Sequence, residues 1–370
     1  MNLHIEELPW RPDSALLFNA LRDLPCPAWL DSAQPWANGG RYDILVADPI
    51  AETPTAPNAS APNASWQRYL QDLADLHRER YSGIAPAGPR LPFCGGLLGY
   101  LGYEPGNTLH AINQVSATTP ATPAAAIGCY DWCVVQDHLL QRSALITLPW
   151  VGSTQRRDLR ERFANAAKPD TQRPFQLRGS FQPAMTREAY QHAFARIQAY
   201  IQAGDCYQVN LAQRFDAEYE GDSFTAYRVL REVAAAPFSG YLESSEQQAI
   251  LCLSPERFIS LQGQQVETRP IKGTRPRYAD PARDLRSAQE LRASPKDRAE
   301  NLMIVDLLRN DLGRSCVPGS IHVEQLFALE SYPTVHHLVS TIRGELAPGR
   351  GPLDLLRDSF PGGSIAGAPK

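Results

Sequence analysis

No stretch of this chain approaches the roughly 18 consecutive apolar residues that a membrane-spanning helix needs, so none is expected. The opening Met1-Asn2-Leu3-His4-Ile5-Glu6-Glu7 has no basic segment leading into an apolar one, so no secretory signal is expected. An excess of one charge is also missing. A formal net charge of −4 over 370 residues argues against general nucleic-acid affinity. The seven cysteines are odd in number and scattered. Cys129 and Cys133 are the closest pair, and no second pair completes a zinc site, so buried thiols are expected. Gly95-Gly96-Leu97-Leu98-Gly99-Tyr100-Leu101-Gly102-Tyr103 lacks the dinucleotide fingerprint in register, and close strand packing or a bend explains its glycines. These absences leave a soluble, reduced, cytoplasmic protein that binds neither nucleic acid nor membrane. With 43% hydrophobic and 21% charged residues, it can bury a sizeable core.

What is present reads as two parts, 1–183 and 184–370, expected to form one intertwined unit. In the first, a short helix is expected at 14–18, strands at 28–30 and 42–47, and a flexible loop over 51–65. Asn58-Ala59-Ser60 and Asn63-Ala64-Ser65 match the glycosylation pattern, but without a secretory signal they read as plain loop. A helix over 66–80 places Tyr69, Leu70, Leu73 and Leu76 on one face. A second loop covers 118–126, strands at 129–135 and 143–148 flank a polar turn, and 152–183 reads as a crossing connection. The second part opens with Thr186 as N-cap and Gly204 as stop, with Tyr190, Phe194, Ile197 and Ile201 at helical spacing between them. The alternation over 206–214 predicts a strand with Gln208 and Asn210 on its polar face. Ser294, Pro295 and Asp297 predict a helix start, and Gly313 its stop.

Four stretches carry candidate chemistry. Gln262-Gly263-Gln264-Gln265 reads as the turn of a hairpin. The midpoint of Glu256 and Lys272 falls at 264, so the two sit about opposite each other at its open end. Neighbouring strands lie about 4.8 Å apart, so a carboxylate and an amine there share one site. They are either an acid and a nucleophile or a cross-strand ion pair on a wet face. Glu300 shares a helix face with Ile304, Leu307 and Leu308 and needs a partner, either a cationic side chain or a metal. Strand alternation puts His336 and His337 on opposite faces, so at most one belongs to a given site. Pro361-Gly362-Gly363-Ser364 frees backbone N–H groups to approach an anion.

Together the runs Asp205-Cys206-Tyr207-Gln208-Val209-Asn210, Ser254-Pro255-Glu256-Arg257-Phe258, Arg269-Pro270-Ile271-Lys272-Gly273-Thr274, Lys296-Asp297-Arg298-Ala299-Glu300-Asn301, Val335-His336-His337-Leu338 and Pro361-Gly362-Gly363-Ser364 resemble the chorismate-utilising enzymes. Runs at 41–49 and 130–132 extend the likeness to the N-terminal part. The resemblance implies an α+β fold of two packed, mainly antiparallel sheets with helices outside. Family members that add water to chorismate carry Lys where this chain has Gln208, and Gln cannot deprotonate water. Anthranilate synthase component I has Ala where Lys272 stands. Lys272 therefore points to the branch that makes 4-amino-4-deoxychorismate, with an anthranilate synthase or a non-catalytic partner-binding remnant as alternatives.

The resemblance further implies that Lys272, in its neutral form, attacks ring C2 while Glu256 protonates the departing C4 hydroxyl, and that ammonia then adds at C4. Mg²⁺ is implied at Glu300 and a second carboxylate, where it binds the ring carboxylate with help from Gly273 and Thr274. His337 and Gln208 are implied to line the substrate pocket. A glutamine amidotransferase subunit is implied as the ammonia source. A tryptophan pocket is implied near Ser32, Pro237 and Phe238, with ordinary core packing as the other reading. Relatives continue past Pro369-Lys370 into a segment that supplies the second metal carboxylate. The resemblance thus implies a chain truncated at its C-terminus, with an incomplete site and sheet and weak or no activity.

Overall fold

The computed structural model describes residues 2–37, 40–58, 61–84, 91–109, 123–166, 174–245 and 248–370. They fall into two compact units, the first comprising 1–173 and 222–255, the second 174–221 and 256–370. The expected boundary at 183/184 would place 222–255 in the second part. Those residues instead complete the sheet of the first unit.

In the first unit, seven antiparallel strands run in the order His4–Leu8, Arg142–Thr147, Trp132–Asp137, Tyr42–Val46, Ala28–Asp31, Phe238–Ser245 and Gln248–Ser254 among the described residues. The near-continuous apolar run from Cys129 to Val135 has a physical reason. Trp132 and Val134 pack into one core with Phe18, Trp29 and Tyr241, while Cys133 and Val135 pack into another with Val46 and Leu148. A sheet covered on both faces needs apolar residues at every position. The hairpin Gly96–Leu101/Ala125–Tyr130 shows why Gly99 is a glycine: a Cβ there would lie 2.0 Å from the Ala126 carbonyl oxygen. The helix Asn63–Tyr81 buries Tyr69, Leu70 and Leu73, as its spacing predicts. The stretch read as a crossing connection contains a helix, Ser153–Ala164, that buries only Leu159 and Phe163. Of the loop expected at 118–126, residues 118–122 lie outside the described residues, and Ala125 already belongs to a strand.

In the second unit, Val335–Glu345 is the central strand. Gln265–Thr268 and Ile271–Pro276 follow one another along one of its edges, and His322–Ser331 lies along the other. Ser260–Gln262 pairs with Gln265–Thr268 through a two-residue turn at Gly263-Gln264, so the expected hairpin forms. The helix Pro295–Leu312 starts where Ser294 Oγ accepts from the Asp297 backbone N–H. It buries Ile304, Val305, Leu308 and Leu312 against Val266 and Ile342, each contributing roughly 2 kcal/mol. The helix Arg187–Ala203 is capped by Thr186 and stopped by a left-handed Gly204, but it buries none of its residues. Of the long strand expected over 206–214, only Gln208–Val209 is observed, paired antiparallel with Gly367–Ala368. Tyr207 and Val209 are accordingly exposed.

Candidate active site

All the residues expected to carry catalysis lie in the second unit. The hairpin register, with Ser260 opposite Glu267, extrapolates to Glu256 opposite Ile271. The Glu256 carboxylate accepts from the Ile271 backbone N–H and from the Ser364 hydroxyl, and Lys272 lies within charge range. Burial pushes the Glu256 carboxyl above the ordinary glutamate range; the Lys272 charge and the two hydrogen bonds pull it only part of the way back. Lys272 Nζ donates to the Ser364 backbone carbonyl at 3.1 Å. Acid and amine thus meet at a half-buried site, so Glu256 does not sit on a fully wet face.

Gly273, next along the strand, has φ +94, and a Cβ there would lie 2.9 Å from Asp297 Cβ and Leu291 Cδ1. Asp297 is itself paired with Arg275 at 2.9 Å, so the turn is tied to the start of the Pro295–Leu312 helix. Thr274 sits opposite His337, and Thr274 Oγ1 lies 2.9 Å from His337 Nδ1. Burial lowers the His337 pKa, opposed in part by Glu330 and the Gly273 carbonyl. His336 faces the other way, with Nε2 3.1 Å from Asp284 Oδ1 and Nδ1 2.8 Å from Ser331 Oγ. The alternation argument therefore separates the two histidines as expected.

Glu300 is half-buried on its helix, and its Oε1 accepts from Gln208 Nε2 at 3.3 Å. Among the described residues no three His, Cys, Asp or Glu side chains gather into a metal-ligand cluster. Mg²⁺ commonly takes one or two protein carboxylates, with substrate oxygens and waters completing its shell. Glu300 would supply one such carboxylate, and a single carboxylate is compatible with that mode of binding.

Sequence reasoning missed Ser364 as a site residue. It reads there only as part of a glycine-rich run, and its contacts with Glu256 and Lys272 span roughly a hundred residues. Asn301, beside Glu300, was also missed as a scaffold: it accepts from Ser340 Oγ at 2.6 Å and donates to the Leu338 carbonyl at 3.2 Å, fixing the helix to the histidine strand.

Ser32, Pro237 and Phe238 lie in the first unit, at one end of paired strands where Ser239 opposes Asp31. The Ser32 amide and hydroxyl both donate to Asp43 Oδ1, at 2.8 and 2.6 Å. Asp31 is bound by Arg231, whose guanidinium stacks on Trp29 and Trp36. Pro237 is half-buried and Phe238 is exposed.

This fold occurs in a known family. The sequence model described as "chorismate binding enzyme" matches residues 26–370, and the chain belongs to that family. Its relatives include aminodeoxychorismate synthase component 1 of Salmonella typhimurium, 45% identical over 98% of this chain and 80% of that protein. The Escherichia coli protein of the same name is 42% identical over the same shares. Among solved structures, anthranilate synthase component I from Streptococcus pneumoniae superposes with a TM-score of 0.73 at 25% identity, covering 90% of this chain and 75% of that one.

Proposed function

We propose that this chain aminates chorismate to 4-amino-4-deoxychorismate, on the route to 4-aminobenzoate and folate, using ammonia from a separate glutamine amidotransferase subunit. The observation that carries the reading is the contact of a carboxyl group held above its ordinary pKa with Lys272 through Ser364. Lys272 has no counterpart in the anthranilate-forming pattern set out above, which favours amination at C4 over anthranilate formation.

The side chains divide the work. The Lys272 amine forms a bond to ring C2, the ring double bonds shift, and the C4–O bond breaks. Glu256 gives its proton to the departing hydroxyl, which leaves as water. Ammonia then forms the C4–N bond, the C2–N bond to Lys272 breaks, and the amine of Lys272 is restored. The extra proton on the new amino group returns to Glu256, so each turnover leaves both groups as they began. Gly273 and Thr274 bind the substrate's ring carboxylate, and His337 lines the pocket. Mg²⁺ held at Glu300 would neutralise that carboxylate and draw electrons from the ring.

The test is a product assay with chorismate, Mg²⁺ and ammonium, read by mass spectrometry. Formation of 4-amino-4-deoxychorismate is expected. Anthranilate with pyruvate in its place would overturn the reading. No helix among the described residues is long and apolar enough to cross a membrane.

A further inference from the structure

The first unit holds a cavity of about 370 Å³. One wall is the hairpin Gly96–Leu101/Ala125–Tyr130, where the small Ala126 and Gly128 stand opposite Tyr100 and Leu98. Gly128 makes room for a neighbour: a Cβ there would lie 2.7 Å from the Tyr130 ring, whose hydroxyl donates to the Cys26 carbonyl at 3.0 Å. Tyr100 likewise spends its hydroxyl on the Pro123 carbonyl at 2.9 Å. Tyr69, from the helix Asn63–Tyr81, also lines the cavity. It is 3% exposed, and its hydroxyl has no hydrogen-bond partner among the described residues. Trp66 meets its ring edge-on at 5.8 Å. Burial pushes its pKa up to about 12, so the group stays a donor at neutral pH. A buried hydroxyl left unpaired is costly, and an acceptor that enters the cavity removes that cost. Exposed Cys26 and Thr55 in the lining carry the cavity to the surface.

We infer that this cavity binds an uncharged molecule of two fused rings that carries one carbonyl-type acceptor for the Tyr69 hydroxyl. The size follows from the volume: an apolar cavity of about 150 Å³ takes one benzene ring, and this one is more than twice as large. The apolar body follows from the wall, which is built mainly of Ala, Pro, Leu and tyrosine rings. The lack of charge follows from Glu243, the one charged side chain in the lining, whose carboxylate is already met by Arg22 at 2.9 Å. An ion entering the cavity would find no partner. The site stands apart from the amination reading, because Glu256 and Lys272 lie in the second unit. It also lies away from Ser32 and Phe238: Ala28 and Leu242, which line it, form the other end of the ladder in which Ser239 opposes Asp31.

The experiment titrates the wild-type chain, Tyr69→Phe and Ala126→Trp with 1-tetralone, a bicyclic ketone, and with tetralin, the same rings without the oxygen. Ligand-observed NMR reads the Kd of each. Tyr69→Phe keeps the ring and removes the donor, and Ala126→Trp fills the cavity. The inference expects the ketone to bind the wild type about tenfold more tightly than tetralin, as for one hydrogen bond. Tyr69→Phe should erase that difference, and Ala126→Trp should weaken both ligands. Should Ala126→Trp fail to fold, the ketone preference and its loss in Tyr69→Phe decide alone. No binding of either ligand to the wild type overturns the inference. Ketone binding that is the same in Tyr69→Phe as in the wild type also overturns it, since the acceptor then meets some other group.

Discussion

Glu256 and Lys272 are joined by one intermediary: Ser364 gives its hydroxyl to the Glu256 carboxylate and its carbonyl to Lys272 Nζ. The acid and the nucleophile are thereby positioned by the same residue, on a short helix, Gly363–Ala366, outside the hairpin that carries them. A nucleophile and an acid need fixed mutual geometry, and a shared anchor supplies it.

Replacing Glu256 by Gln removes the proton donor and keeps an acceptor for Ile271 and Ser364. Turnover is expected to fall about 10²- to 10⁴-fold, the usual contribution of a positioned general acid. The thermal midpoint should change little. Steady-state kinetics alongside a melting curve checks both, and near-normal turnover would remove Glu256 from the acid's role.

Ser364→Ala tests the pH dependence. The Ser364 hydroxyl stabilises the charged form of Glu256, so losing it raises the Glu256 pKa further. The acid works protonated, so the alkaline limb set by Glu256 should move to higher pH in the variant. The rate profile against pH reports this, and a shift to lower pH would reverse the assigned sign.

Gly273→Ala places a Cβ 2.9 Å from Asp297 and Leu291 at a φ of +94. Strain of this kind costs about 1–3 kcal/mol. Denaturant titration should show a loss of that size, together with weaker chorismate binding. A fully stable variant would mean that this backbone geometry is not required.

These residues also show where the amino-acid pattern was sufficient. The caps at Thr186 and Ser294 were legible because they depend on a side chain two or three residues from the amide it binds. The turn at Gly263-Gln264 was legible for the same local reason. The helix Ser153–Ala164 was not, because it buries one apolar pair, Leu159 and Phe163, four residues apart. Of the strand expected at 206–214 only Gln208–Val209 is observed, since alternation within one segment does not show how much of it pairs. Glu256 and Lys272 were found from their distance to a turn. Ser364 was not, because no local pattern links it to residues roughly a hundred positions away.

Burial holds the imidazoles of His337 and His77 below the ordinary value of about 6.5. The unfolded chain therefore takes up protons that the folded chain resists. Their contribution to stability is complete above about pH 6.5 and is lost as pH falls below it. Stability measured by denaturant between about pH 5 and 7 should drop toward acid, and the slope should flatten in His77→Gln/His337→Gln. An unchanged slope would contradict the sign.

The most direct test of the central claim is intact-mass spectrometry of the chain mixed with chorismate and Mg²⁺ in the absence of ammonia. Nucleophilic attack by Lys272 predicts an adduct with the mass of chorismate less one water, mapped to Lys272, absent from Lys272→Ala and discharged as 4-amino-4-deoxychorismate when ammonium is added. Formation of that product by the Lys272→Ala variant at the wild-type rate, with no adduct on either protein, would contradict it.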